Sequence, residues 1–133
     1  YEIEKVIFSE KIKFQDIRSL WNSMYLKYLN INLLNDTDGV LQDIHWYEGI
    51  FGYFPTYALG AMISSQIKYN CPYYEEFLKK PEPENIKNIA NWLNKNIHQR
   101  ASLYSSDEML QNISGEKLNP SYYSRHLRER FVK

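Results

Sequence analysis

The sequence has one cysteine, Cys71, which excludes an internal disulfide framework and a cysteine-built zinc site. A reduced, cytoplasmic setting is the expectation that follows. Neither charge is in excess: sixteen Lys and Arg balance sixteen Asp and Glu. Nothing therefore supplies the electrostatic attraction that nucleic-acid binding needs, and nucleic acid is not an expected partner. No run approaches the roughly 20 apolar residues of a membrane span. The longest candidate, residues 58–67, is broken by Gly60, Ser64, Ser65 and Gln66, so no membrane association is expected. The opening residues do not form a secretory leader either, because Glu2, Glu4 and Lys5 interrupt the apolar ones. Only five glycines and five prolines occur in a chain that is 44% hydrophobic, a balance that argues against disorder. The abundant residue is tyrosine, with twelve copies, and composition alone does not make any of them functional.

What is present reads as helix almost throughout. Ile3, Val6 and Ile7 fall at helical spacing with no capping residue before them, which suggests a helix entered part-way and a chain truncated at its N-terminus. On that reading Ile3, Val6 or Ile7 should be exposed, as a patch missing its partner helices. Asp16 is expected to cap a helix over 16–30, whose stripe is Ile17, Leu20, Trp21, Met24, Tyr28 and Leu29. Thr56 is expected to cap a helix over 56–69. Pro81 and Pro83 punctuate the chain before a helix over 84–98, with Ile86, Ile89, Ala90, Leu93 and Ile97 on one face. Ser105 and Glu108 form a capping box for a helix over 106–113, which stops at Gly115. Asn119 and Pro120 open the last helix, over 120–131. No hairpin signal is found, so the fold class is all-α, one helical region spanning 1–133.

Residues 39–57 follow no simple period. They gather Gln42, Asp43, His45, Trp46, Tyr53 and Tyr57 in a glycine-punctuated stretch between helices, where sites commonly sit on a rigid scaffold. Histidine and tyrosine donors suit one chemistry in particular, the stabilisation of an oxyanion as water adds to an amide carbonyl. The bland alternative is a structural histidine among packed aromatics.

Gly39-Val40-Leu41-Gln42-Asp43-Ile44-His45-Trp46 resembles the motif Gly-x-x-Gln-Asp-x-His-Trp of the Taq-type metallocarboxypeptidases. Residues 51–60 are similar to the family segment just downstream, and the likeness extends over nearly the whole chain, through Trp21-Asn22, Asn91-Trp92-Leu93 and Ser114-Gly115-Glu116. The resemblance implies the C-terminal helical part of a larger zincin-like peptidase that hydrolyses the C-terminal bond of peptides. It implies zinc in the parent, a peptide substrate and a homodimer. His45, Tyr53 and Tyr57 become catalytic candidates, and Gln42, Asp43 and Trp46 become substrate-binding or supporting ones.

Two departures stand out. The family's His-Glu-x-x-His zinc helix is absent, since His45, His98 and His126 are far apart. In the family that helix precedes the motif, so the zinc segment is expected before Tyr1 and no metal is expected in this chain. Tyr47-Glu48-Gly49-Ile50 also stands where small residues are more usual, with Glu48 adding a negative charge. A non-catalytic helical assembly or binding module, or the remnant of a degenerate peptidase, is the alternative reading.

Overall fold

The computed structural model describes residues 1–9 and 12–132. The described residues form eight α-helices and three short 3-10 turns, with no strand among them, so the all-α expectation holds. Two compact units divide the chain, Tyr1–Tyr57 and Ala58–Lys133, with the boundary in the first turn of a helix.

The first unit contains α1 (Glu2–Phe8), α2 (Ile17–Leu29) and α3 (Ile44–Tyr47), together with the start of α4 (Pro55–Asn70). Helices α1 and α2 pack together. Trp21 is the buried anchor of α2, stacked on Tyr25 at 5.5 Å and edge-on to Trp46 at 5.4 Å. Tyr28 and Leu29, placed on the same stripe by periodicity, are exposed. Asn30 ends the helix in the left-handed conformation (φ 55°), which asparagine tolerates better than most residues.

Asp16 precedes α2 as expected, but its carboxylate does not cap it. A 3-10 turn, Phe14–Asp16, leads into the helix and holds Asp16 near αR, whereas a capping side chain reaches back from an extended backbone. Thr56 is corrected in the same way. The helix starts one residue earlier, at Pro55, and the Thr56 hydroxyl donates back to the Tyr53 carbonyl at 2.6 Å. The patch expected at Ile3, Val6 or Ile7 is also displaced: all three are half-buried because α1 lies against α2, and the exposed apolar end is Phe8.

Between α2 and α3 the chain is folded by its own polar side chains. Asn35 Oδ1 accepts from the Asp38 amide at 2.8 Å, and Gln42 Nε2 donates to the Thr37 carbonyl. Gly39 is buried here. A Cβ at this position would lie 3.2 Å from the Asn35 oxygen and 3.3 Å from Leu33 Cδ1, so the first motif glycine answers to close packing.

The second unit holds the rest of α4 with α5 (Tyr74–Lys79), α6 (Pro83–Asn96), α7 (Ser106–Ser114) and α8 (Ser121–Phe131). The capping box forms as the sequence predicts: Ser105 Oγ accepts from the Glu108 amide, and Glu108 Oε2 accepts from the Ser105 amide at 2.8 Å. Gly115 closes α7 with φ 77°. Asn119 Oδ1 accepts from the Ser121 amide at 3.0 Å, a cap on the first turn of α8. On α6 the predicted stripe is rotated. Ile86 and Ala90 are exposed, while Asn85 is buried with its amide donating to the Lys80 carbonyl at 2.9 Å.

The hub of this unit is polar. Gln66, within a stretch too interrupted to look like core, is wholly buried, as is Leu110. Its Nε2 donates to Ser114 Oγ at 2.7 Å and to the Lys117 carbonyl at 3.0 Å, and its Oε1 accepts from the Asn119 amide at 2.9 Å. One side chain thereby ties α4 to the turn between α7 and α8. Gln66→Leu removes the side-chain acceptor of the half-buried Asn119 N–H and the donor to Ser114 and Lys117, and should cost about 1–3 kcal/mol. Thermal denaturation checks this: a clearly lowered melting temperature is expected, and an unchanged one would remove Gln66 from its role.

Candidate active site

Asp43 is the pivot. Its extended backbone (φ −82°, ψ 93°) lets its carboxylate accept the His45 amide at 3.0 Å and so start the single turn of α3. The same oxygen, Oδ1, lies 3.0 Å from His45 Nδ1. An ionised carboxylate only accepts, so Nδ1 carries the proton and Nε2 is left for other partners. In the neutral ring Nε2 can only accept a hydrogen bond, and in the protonated ring it can only donate one.

Three aromatic rings surround the imidazole. Tyr53 stacks on it with centroids 5.4 Å apart and an interplanar angle of 29°. Phe54 and Tyr57 meet it edge-on at 5.2 and 5.9 Å. Tyr53 and Tyr57 are 5.6 Å apart at 85°, so the catalytic candidates named from the sequence converge on one place. Burial separates their roles: the His45 side chain is only 14% exposed, while Tyr53 and Tyr57 are 47% and 59% exposed. The histidine is fixed, and the two phenols stand at the surface above it.

Gln42 and Trp46 hydrogen-bond to residues other than His45 and line one cavity with Asp43. The Gln42 amide is committed to the Thr37 backbone. Trp46 Nε1 donates to Glu4 Oε1 at 3.1 Å, and its ring lies against Trp21 and Phe51. Glu4 Oε1 also accepts from the Gly52 amide at 2.9 Å. Burial pushes the Glu4 carboxyl up, but the Gly52 and Trp46 donors, together with the Tyr1 ammonium, hold it below the ordinary value of 4.5. Glu4 is therefore charged at neutral pH although only 6% exposed.

Glu4 is the site residue that sequence reasoning missed. Its signal was present: Glu4, Ile7 and Phe8 fall at i, i+3 and i+4, which puts a carboxylate on an apolar helix face. Its second oxygen, Oε2, has no hydrogen-bond partner among the described residues but lies 3.7 Å from the Tyr1 ammonium, and Glu4 lines a cavity of about 240 Å³ with Trp21, Tyr25, Asp43 and Phe54.

These residues do not make a metal centre. Among the described residues no group of three or more His, Cys, Asp or Glu side chains stands close enough to hold a metal. Asp43 and His45 are spent on each other, and Glu4 Oε1 is spent on two N–H donors. In the second unit, His98 lies on a 3-10 turn and His126 on α8, where its Nδ1 is 3.0 Å from Lys68 Nζ. No helix among the described residues is long and apolar enough to cross a membrane.

An irregular turn that presents an anchored histidine and two phenols, on an all-helical frame, offers donors of the kind that can stabilise a developing oxyanion. Comparison with known proteins makes the class specific. Residues 1–131 match the family model of the Carboxypeptidase Taq (M32) metallopeptidases, and the chain belongs to that family. It is 38% identical to Carboxypeptidase 1 of Bacillus subtilis over 135 residues, which cover 98% of this chain and 26% of that protein. Thermostable carboxypeptidase 1 of Pyrococcus furiosus is 35% identical over 99% of this chain and 27% of its own length. Among solved structures, Trypanosoma cruzi metallocarboxypeptidase 1 superposes with a TM-score of 0.85 at 38% identity, covering 100% of this chain and 27% of that one. The chain thus spans about a quarter of the length of the relatives it matches.

Proposed function

We propose that this chain is the C-terminal part of a zinc metallocarboxypeptidase, and that it forms the wall of the cleft that holds the carbonyl of the C-terminal peptide bond. The observation that carries the reading is the fixed His45, oriented by Asp43 and flanked by Tyr53 and Tyr57. In this arrangement His45 Nε2, in its protonated state, and one phenol donate to the carbonyl oxygen as negative charge develops on it. Asp43 keeps the proton on Nδ1 and the ring in place. In this reading the metal ligands come from another part of the protein, which fits the lack of any cluster of three His, Cys, Asp or Glu side chains among the described residues.

Burial supports a larger whole. Among the described residues only Trp21, Cys71 and Leu110 are buried apolar side chains, while Phe14, Leu34, Leu103 and Phe131 are largely exposed. A chain of this length ordinarily buries far more, so its apolar faces are suited to packing against other segments or a second subunit. A homodimer is part of the proposal, as is a cytoplasmic location, consistent with the one free, buried cysteine.

The test is product analysis with the full-length protein carrying this sequence. With its metal bound, it should shorten peptides one residue at a time from the C-terminus and leave C-terminally amidated versions intact. Internal cleavage, or equal attack on amidated peptides, would refute the carboxypeptidase assignment.

A further inference from the structure

The geometry points to Glu4 as the positioning residue of this site: a buried carboxylate on α1 that fastens both ends of the loop carrying His45 and Tyr53. The inference rests on the proposed role of His45. One oxygen, Glu4 Oε1, accepts from the indole of Trp46, the residue after His45, and from the amide of Gly52, the residue before Tyr53. The two attachment points bracket the five residues 47–51, and the loop otherwise closes on itself through the Ile50 amide to the His45 carbonyl at 2.8 Å. Gly52 adopts φ 75° to present its N–H, a conformation that side-chain-bearing residues rarely take.

The clamp does what the local backbone does not. Asp43 sets the tautomer and the direction of the imidazole from one side. The face-to-face stack of His45 on Tyr53 depends on where the far end of the loop lies, and that end is held by Gly52. Phe51 adds apolar fastening, edge-on to Phe8 of α1 at 5.2 Å. A charge-assisted bond shared by two N–H donors in a buried setting is stiff and directional. Glu4 thus acts through the separation of His45 from Tyr53. Aspartate, one methylene shorter, cannot hold both donors from the α1 backbone, whereas glutamine keeps an oxygen at the same reach.

The experiment is a double-mutant cycle in the full-length, metal-loaded protein, with kcat and KM measured on a peptide substrate. Glu4→Asp should lower kcat on the order of 10²-fold with little change in KM, the scale of a misplaced catalytic group. Glu4→Gln should recover most of that loss. With His45→Gln already present, Glu4→Asp should cost almost nothing further, because the clamp has no histidine left to place. Hydrogen exchange at the Trp46 indole N–H reports the clamp independently of catalysis: it should speed up in Glu4→Asp and stay slow in Glu4→Gln. If Glu4→Asp is poorly folded, Trp46→Phe removes one of the two bonds from the other end, and its loss of kcat should likewise vanish in the His45→Gln background. A low kcat for His45→Gln together with full additivity would overturn the positioning role alone. A normal kcat for His45→Gln would sink the catalytic reading and this inference with it.

Discussion

Replacing Tyr53 or Tyr57 with phenylalanine in the full-length protein is expected to lower kcat on the order of 10²–10³-fold for one of the two. The other should stay near the parent value. The substitution is informative because both rings pack against His45, at 5.4 and 5.9 Å, and phenylalanine retains that packing. Only a hydroxyl is lost. If the phenols serve as packing alone, neither change should matter much, and what effect remains should fall on the melting temperature. A donor that meets charge formed only in the transition state lowers kcat with KM nearly unchanged. Tyr53 stacks on the ring face while Tyr57 meets it by an edge, so the two hydroxyls leave the histidine in different directions. One substrate oxygen is not expected to use both. Steady-state kinetics on the two single variants, beside their melting curves, decides between contact and packing.

Much of the local structure could be read from the sequence because it is set by residues close in the chain. The Ser105–Glu108 box, the left-handed Gly115 and the Asn119 cap each need only a few neighbours, and each is found as expected. Asp16 and Thr56 failed as caps for an equally local reason: the turns before their helices hold the backbone differently from the extended form a cap requires. The site motif was legible through residue type and irregularity, and His45, Tyr53 and Tyr57 do come together.

Residues whose partners are distant in sequence escaped. Glu4 finds Trp46 and Gly52 more than forty positions away, and Gln66 finds Ser114 and Asn119 about fifty away. Both are polar groups on faces that periodicity assigns to core or leaves undecided. Burial is tolerated there only because every committed atom has a hydrogen bond from a remote segment. The rotated stripe of α6 has a local origin instead. Asn85 is inward because the Lys80 carbonyl is there to receive it, and a hydrophobic count does not register that.

The anchored imidazole is the feature on which the functional account depends. His45 is held at Nδ1 by Asp43, stacked on one face by Tyr53 and nearly shielded from water, with Nε2 left as its free position. A histidine kept only for the fold would show its cost in stability. A histidine that donates to a developing oxyanion shows it in turnover, by roughly 10²–10³-fold for one donor. The most direct measurement is therefore His45→Gln in the full-length protein, with metal content, melting temperature and peptide turnover recorded on the same preparation. The account predicts metal content and melting temperature close to the parent's and a kcat lowered by that factor, with KM little changed. A near-normal kcat, or a loss of activity that simply follows unfolding or loss of metal, would contradict it.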